Sequence, residues 1–134
     1  MDISQNTEYM ARTLWGEARG EGKDGQIAVA HVIKNRAEKK TWYGKTIMDV
    51  CLKKWQFSCW NENDPNRKKI LALSLDDLED QIEVAAGVIG GQYIDITEGS
   101  THYYAKSMSK PPKWAVGKEP VVVMGNHYFF NNIE

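Results

Sequence analysis

Two glutamates four residues apart, Glu17 and Glu21, stand in a short stretch, residues 14–21, between two helical patterns. The same stretch carries Trp15 and Arg19 and, counting the residue just past its end, the glycines Gly16, Gly20 and Gly22. Glycine permits sharp turns and close backbone approach, at an entropic cost that a plain connector does not need. The spacing therefore predicts a bend that holds Glu17 at a helix end beside the Trp15 ring. A carboxyl partly withdrawn from water keeps its proton to higher pH than a solvated one, which is what a general acid near neutrality requires. Glu17 is thus the candidate general acid; the plainer reading is a helix-end glutamate paired with Arg19 or a lysine. Glu21 is the nearest second carboxylate. Its plainer role is to accept backbone N–H groups at the start of the second helix, where negative charge is favoured.

Cleaving a glycosidic bond takes a protonated carboxyl on the leaving oxygen and usually a second carboxylate. Sugar rings present apolar faces and hydroxyl edges, so their clefts mix aromatic rings with hydroxyls and amides. Trp15, Trp42, Trp55, Trp60, Tyr103, Tyr104 and Trp114 supply rings, each of which would also suit a core. Gln56 and Ser58 flank Phe57 and would emerge on its opposite side in an extended stretch. Phe57 is therefore expected in the core, with its two polar neighbours toward a cleft. His31, His102 and His127 show neither His-Glu-x-x-His nor zinc-ligand spacing, so no metal and no cofactor is expected. His31, inside an apolar helical run, reads as a hydrogen-bonded core histidine. There is no nucleophile elbow, no pairing of Cys51 or Cys59 with a histidine, and no phosphate-binding glycine loop.

The elements that must position these residues follow from capping and periodicity. Ser4 or Asn6 caps a first helix with Tyr9, Met10, Thr13 and Leu14 on its inner side, ending near Gly16. Asp24 caps a second, in which Ile27, Val29, Ala30, Val32, Ile33 and Ala37 predict a largely buried central helix. Thr46 with Asp49 opens a short helix through Lys53, and Asp64 with Pro65 opens the next. Ser74 with Asp77 opens a last helix, in which Leu78, Ile82, Ala85, Ala86 and Ile89 share one face until Gly90-Gly91. Residues 100–104 and 111–117 read as loops with short extended pieces. Residues 121–124 and 127–130 flank Gly125-Asn126, a two-residue hairpin signal. The sum is a mainly α chain with a small antiparallel β element.

At 134 residues the chain suits one domain, residues 1–134. Its net charge of −1 argues against a nucleic-acid partner, which usually needs a basic excess. Lys106, Lys110, Lys113 and Lys118 gather late and acids cluster over 76–83, a solvated surface or a locally positive face toward an anionic polymer. Cys51 and Cys59 are too few for a disulfide framework; they form one bridge or are small buried residues. No apolar run is long enough to cross a bilayer, and residues 1–5 lack a basic and an apolar signal region. Synthesis in the cytoplasm, with no membrane insertion, is the expectation.

These residues taken together carry a resemblance. Trp15-Gly16-Glu17-Ala18-Arg19-Gly20-Glu21, Gly25-Gln26-Ile27-Ala28-Val29-Ala30, Asn35-Arg36 and Asp49-Val50-Cys51 come first. Gln56-Phe57-Ser58, His102-Tyr103, Trp114-Ala115 and Gly125-Asn126-His127-Tyr128-Phe129 follow in order. The chain resembles the SleB-type cell-wall hydrolases, the spore-cortex-lytic enzymes and phage endolysins. The resemblance implies a lysozyme-like α+β fold with a substrate cleft, and cleavage of the MurNAc–GlcNAc glycan of peptidoglycan. It makes Glu17 the catalytic residue, with Glu21, Gln56, Phe57, Ser58, His102, Tyr103 and Trp114 binding substrate or supporting the site. Where the family often has His-Tyr-His, this chain has His102-Tyr103-Tyr104. The reading expects neither the signal peptide nor the wall-binding domain of the spore enzymes. The expectation is an endolysin that reaches the periplasmic wall through a holin-type membrane lesion. One strong carboxyl candidate favours a lytic transglycosylase forming a 1,6-anhydro sugar. The alternatives are a muramidase assisted by Glu21, Asp95 or Glu98, a non-catalytic glycan-binding module and, more remotely, a zinc amidase.

Overall fold

The computed structural model describes residues 3–53 and 56–133. Helices α1 (Gln5–Ala18), α2 (Lys23–Lys39), α3 (Ile47–Leu52), α4 (Pro65–Ala72) and α5 (Glu79–Ile89) come first. Strands β1 (His102–Ala105), β2 (Val122–Met124) and β3 (His127–Phe130) follow, paired antiparallel in the order β1-β3-β2.

Ser4 caps α1, its Oγ accepting from the Thr7 N–H at 3.1 Å. Asn6 instead accepts from the Met48 N–H at 3.0 Å and ties α3 to the start of α1. The first helix does not stop near Gly16 but continues through Glu17 to Ala18. Gly16 is small for another reason: a Cβ there would stand 2.6 Å from Ile70 Cδ1 and 2.7 Å from Cys59 Cβ. The glycine lets two other segments close on the helix, and Glu17 sits in its last turn rather than in a bend.

Helix α2 starts at Gly22, not Asp24; the aspartate lies in the first turn, where its charge complements the helix dipole. Residues 27–33 are buried without a break, because α2 packs on two sides. Ile27, Val29, Ala30, Ile33 and Ala37 join the main core with Met10, Leu14, Val50, Ile70, Ala85 and Val88. Ala28 and Val32 meet Phe129 of the sheet on the other side. A large buried apolar side chain contributes about 1.5–3 kcal/mol, so two faces of such residues anchor α2 as the central helix.

The remaining starts follow their capping residues. Thr46 Oγ1 accepts from the Asp49 N–H at 3.0 Å, and α3 ends at Leu52, one residue short of the pattern. Asp64 accepts from the Asn66 N–H at 2.8 Å with Pro65 at the first helical position. Ser74 and Asp77 exchange hydrogen bonds of 3.2 and 2.9 Å, but they open a 3-10 turn (Asp76–Leu78) that leads into α5. The inner face of α5 is Gln81, Val84, Ala85 and Val88; Ala86, expected there, is exposed, and Ile82 and Ile89 are half-buried.

The hairpin forms as expected, with Gly125 at φ 54° and Asn126 completing the turn. The extended piece at 100–104 is more than a loop: β1 pairs Tyr103 with Phe129 and Ala105 with His127 on the central strand. Local pattern could not reveal it, since its partner lies beyond a long connection. Alternation along the strands puts Tyr103, His127 and Phe129 on the face toward α2. His102, Tyr104, Tyr128 and Phe130 occupy the other face, and Trp114 packs edge-on to Phe130 there with ring centroids 5.1 Å apart. Cys51 and Cys59 are both unbridged and buried. No helix among the described residues is long and apolar enough to cross a membrane.

Candidate active site

Glu17 is half-buried at the C-terminal turn of α1. Its Oε1 accepts the phenol proton of Tyr103 at 3.3 Å, and its Oε2 accepts the backbone N–H of Cys59 at 3.3 Å. Tyr103 arrives on β1, and Cys59 on a 3-10 turn (Ser58–Trp60) that Gly16 admits to the surface of α1. Burial pushes the Tyr103 phenol well above its ordinary range, with the negative charge of Glu17 adding to the effect. The phenol therefore remains a proton donor to the carboxylate.

Trp15 is not the wall beside Glu17. Two positions apart on a helix, the side chains diverge by roughly 200°, and the Trp15 ring instead carries the Arg19 guanidinium at 4.1 Å. Arg19 also donates to the Trp15 carbonyl at 3.0 Å and to Asn66 Oδ1 at 3.4 Å. Among the described residues no lysine or arginine pairs with Glu17. The aromatic neighbour is Tyr103, supplied from the far end of the chain.

Glu21 holds a turn, but not the one at the start of α2. Its carboxylate accepts from the Asn126 backbone N–H and side-chain amide, each at 3.4 Å, and lies 2.9 Å from His127 Nδ1. Both side chains are nearly buried, Glu21 at 13% exposure and His127 at 11%. Two glycines make room: a Cβ on Gly25 would press on Glu21 Cβ at 2.8 Å, and one on Gly125 would meet Oε2 at 3.4 Å. The His127 ring stands edge-on to Tyr103, centroids 5.1 Å apart, so both glutamates connect to one tyrosine.

Phe57 is buried as expected, and Ser58 is exposed beside Cys59. Gln56 does not face a cleft. Its amide donates to the Tyr43 carbonyl at 2.6 Å and accepts from Arg36 Nη1 at 2.8 Å. Arg36, buried at 8% exposure, also donates through Nε to the Thr101 carbonyl at 2.6 Å and lies over the Tyr43 and Phe57 rings. It ties the loop before the Cys59 turn to the residue before β1, the two segments that supply the partners of Glu17. Sequence reasoning missed Arg36, His127 and Asn126 as site-builders. For Arg36 a signal existed: it falls one turn beyond Val32 and Ile33 on a buried helix face.

His102 and Trp114 meet on the opposite face of β1 from Tyr103, ring centroids 4.8 Å apart. His102 Nδ1 is 2.9 Å from the Thr101 hydroxyl, and burial, with Arg36 and Lys39 nearby, lowers its pKa to about 4. His102 and Trp114 thus brace the strand from behind. His31 is the core histidine anticipated, Nδ1 3.0 Å from the Ile27 carbonyl. Trp60 is half-buried, its indole N–H on Thr13 Oγ1 at 2.9 Å, while Trp42 is exposed; Trp55 lies outside the described residues. A groove of about 570 Å³ between Lys53, Trp60, Asn61, Asp64 and Arg67 starts at the neighbour of Cys59; Glu17 itself is not among its lining residues. Among the described residues no group of three or more His, Cys, Asp or Glu could hold a metal ion.

Two solved structures share this arrangement of elements. The chain is 26% identical to the catalytic domain of the germination-specific lytic transglycosylase SleB from Bacillus anthracis, with a TM-score of 0.71 over 95% of both chains. It is also 26% identical to the catalytic domain of the Bacillus cereus SleB protein, with a TM-score of 0.74 over 96% of this chain and 91% of that one. The fold is therefore that of the SleB catalytic domains, which is lysozyme-like. No curated protein matches the chain. The cell wall hydrolase family model matches residues 20–130, which takes in Glu21, the Cys59 turn and the whole sheet and begins just after Glu17. With most of its length under that match and its fold shared with two SleB domains, the chain belongs to the cell wall hydrolase family.

Proposed function

We propose that this protein cleaves the MurNAc–GlcNAc glycan of peptidoglycan as a lytic transglycosylase, with Glu17 as both acid and base. The carrying observation is the contrast between Glu17 and two of the carboxylates that could assist it, Glu21 and Asp95. Among the described residues Glu17 accepts two long hydrogen bonds, both from neutral donors. Glu21 is occupied by Asn126 and His127. Asp95 is occupied by Thr97, Asn35 and Gly99.

In this reading protonated Glu17 gives its proton to the glycosidic oxygen and the C1–O bond breaks, leaving an oxocarbenium-like sugar. The Glu17 carboxylate, held by Tyr103 and Cys59, then takes the proton of the muramoyl C6 hydroxyl. O6 bonds to C1, closing the 1,6-anhydro ring and returning Glu17 to its acid form. No second carboxylate and no water enters. The likeness to a domain described as a lytic transglycosylase supports the same outcome.

Mass spectrometry of digested wall tests the mechanism. Anhydro-muropeptides are expected; reducing ends, one water heavier, would make the enzyme a muramidase. Glu17→Gln is expected to reduce turnover by about 10²–10⁴-fold with the fold intact. Binding to peptidoglycan without clearing it, by the unaltered protein, would instead indicate a glycan-binding module. The endolysin setting has its own test: cells that tolerate the chain alone should lyse when a membrane-permeabilising protein is co-expressed.

A further inference from the structure

Glu21 and His127 are joined at 2.9 Å in a nearly buried pocket, and among the described residues neither is hydrogen-bonded to Glu17. The link runs through Tyr103. One side of its ring stacks on Phe129, centroids 5.7 Å apart, and His127 stands edge-on at 5.1 Å, while its hydroxyl reaches Glu17. A ring bounded by two neighbours has few places to go, so the position of His127 decides where the phenol oxygen falls. His127 is in turn held by Glu21, which follows α1 by three residues and also accepts from the Asn126 N–H of the hairpin. We propose that His127 is a positioning residue: latched to Glu21, it fixes Tyr103 so that the phenol stays on Glu17.

Chemistry assigns the proton. An ionised Glu21 is an acceptor only, so His127 Nδ1 carries the hydrogen between them. Burial lowers the His127 pKa, against the raising influence of Glu21 and Glu17. The neutral ring with its proton on Nδ1 therefore serves the latch at neutral pH. Asn126 completes the clamp through its backbone and side-chain donors, fixing the hairpin at the point where β3 begins.

The inference rests on Glu17 being the acid, and the experiment separates the two. His127→Phe keeps a ring against Tyr103 but loses the donor to Glu21; His127→Asn keeps a donor but loses the ring. Each is expected to lower kcat on purified glycan strands by about 10- to 100-fold, the scale of a small misplacement of reacting groups, with KM changed less than about twofold. Combined with Tyr103→Phe, neither should lower kcat further, because the two residues act through one contact. Multiplicative losses in the double variants would overturn the proposal, as would a lowered melting temperature with unchanged kcat. A rise in KM alone would also overturn it. Glu17→Gln with undiminished activity would instead remove the reading on which the proposal stands, whatever the His127 variants do.

Discussion

Tyr103 donates its phenol hydrogen to Glu17 at 3.3 Å across 86 positions of chain, joining the last turn of the first helix to an edge strand of the sheet. The bond keeps a half-buried carboxylate oriented without neutralising it, which a lysine or arginine in the same place would do. Tyr103→Phe is expected to leave the fold unchanged and lower turnover about 10- to 100-fold, as for loss of one hydrogen bond made to a charged reacting group. Wall-clearing rates and a thermal melt on the same samples measure both.

Two glycines of one motif should respond in opposite ways to alanine. At Gly16 the new Cβ would meet Cys59 Cβ at 2.7 Å, an atom fixed to its backbone, so Gly16→Ala should destabilise by about 1–3 kcal/mol and weaken activity by displacing the Cys59 N–H. At Gly20 nothing lies within 4 Å, so Gly20→Ala should be neutral or stabilising by about 0.5 kcal/mol. Denaturant unfolding of the two variants compares them directly.

Stability should fall on mild acidification. His102 titrates at about 4 in the folded chain against 6.5 ordinarily, so the unfolded chain binds the proton first. This contribution is constant above about pH 6.5, is lost as pH falls from there to about 4, and amounts to about 3 kcal/mol. The lowered His127 pKa acts in the same direction. Melting temperatures across that window should drop less steeply in His102→Gln than in the unaltered protein.

Burial pushes the Cys51 thiol up to about 12 and the Cys59 thiol higher still, with the Glu17 charge adding to the latter. Neither forms thiolate near neutrality, and neither is accessible. Iodoacetamide at about pH 8 should therefore label neither cysteine in the native protein and both after denaturation, as read by intact mass.

Arg36→Lys tests the brace behind the site. A single ammonium cannot span the Thr101 carbonyl and Gln56 as the guanidinium fork does. The change should cost about 1.5–3 kcal/mol of stability, the range for a hydrogen bond to a charged group. Denaturant midpoints check it.

What was legible in the residues was local. Ser4, Thr46, Asp64 and the Ser74–Asp77 pair announce chain turns whose donors they satisfy within a few positions, and each appears at a helix or 3-10 start. The apolar run of α2 marks the central helix, and Gly125-Asn126 marks the hairpin, for the same reason. Misreadings fell where a residue's purpose lies across the fold. Gly16 looked like a helix stop because its actual constraint, Cys59 and Ile70, is distant in sequence. Trp15 looked like the wall beside Glu17 because it is adjacent, whereas helical rotation turns it away toward Arg19. Gln56 looked free to face substrate because nothing nearby claims its amide; Arg36 and Tyr43 do, from other segments.

The amino-acid order by itself therefore determined which segments are helical, where those capped by Ser4, Thr46 and Asp64 begin, and which carboxyl was worth attention. Only the packed chain decided what surrounds that carboxyl: a phenol from β1, a backbone N–H from the Cys59 turn, and a second glutamate diverted to the hairpin. The physical reason is range. Capping and periodicity act over one helical turn, while a hydrogen bond between residues 17 and 103 exists only once the helices and sheet have buried their shared apolar faces.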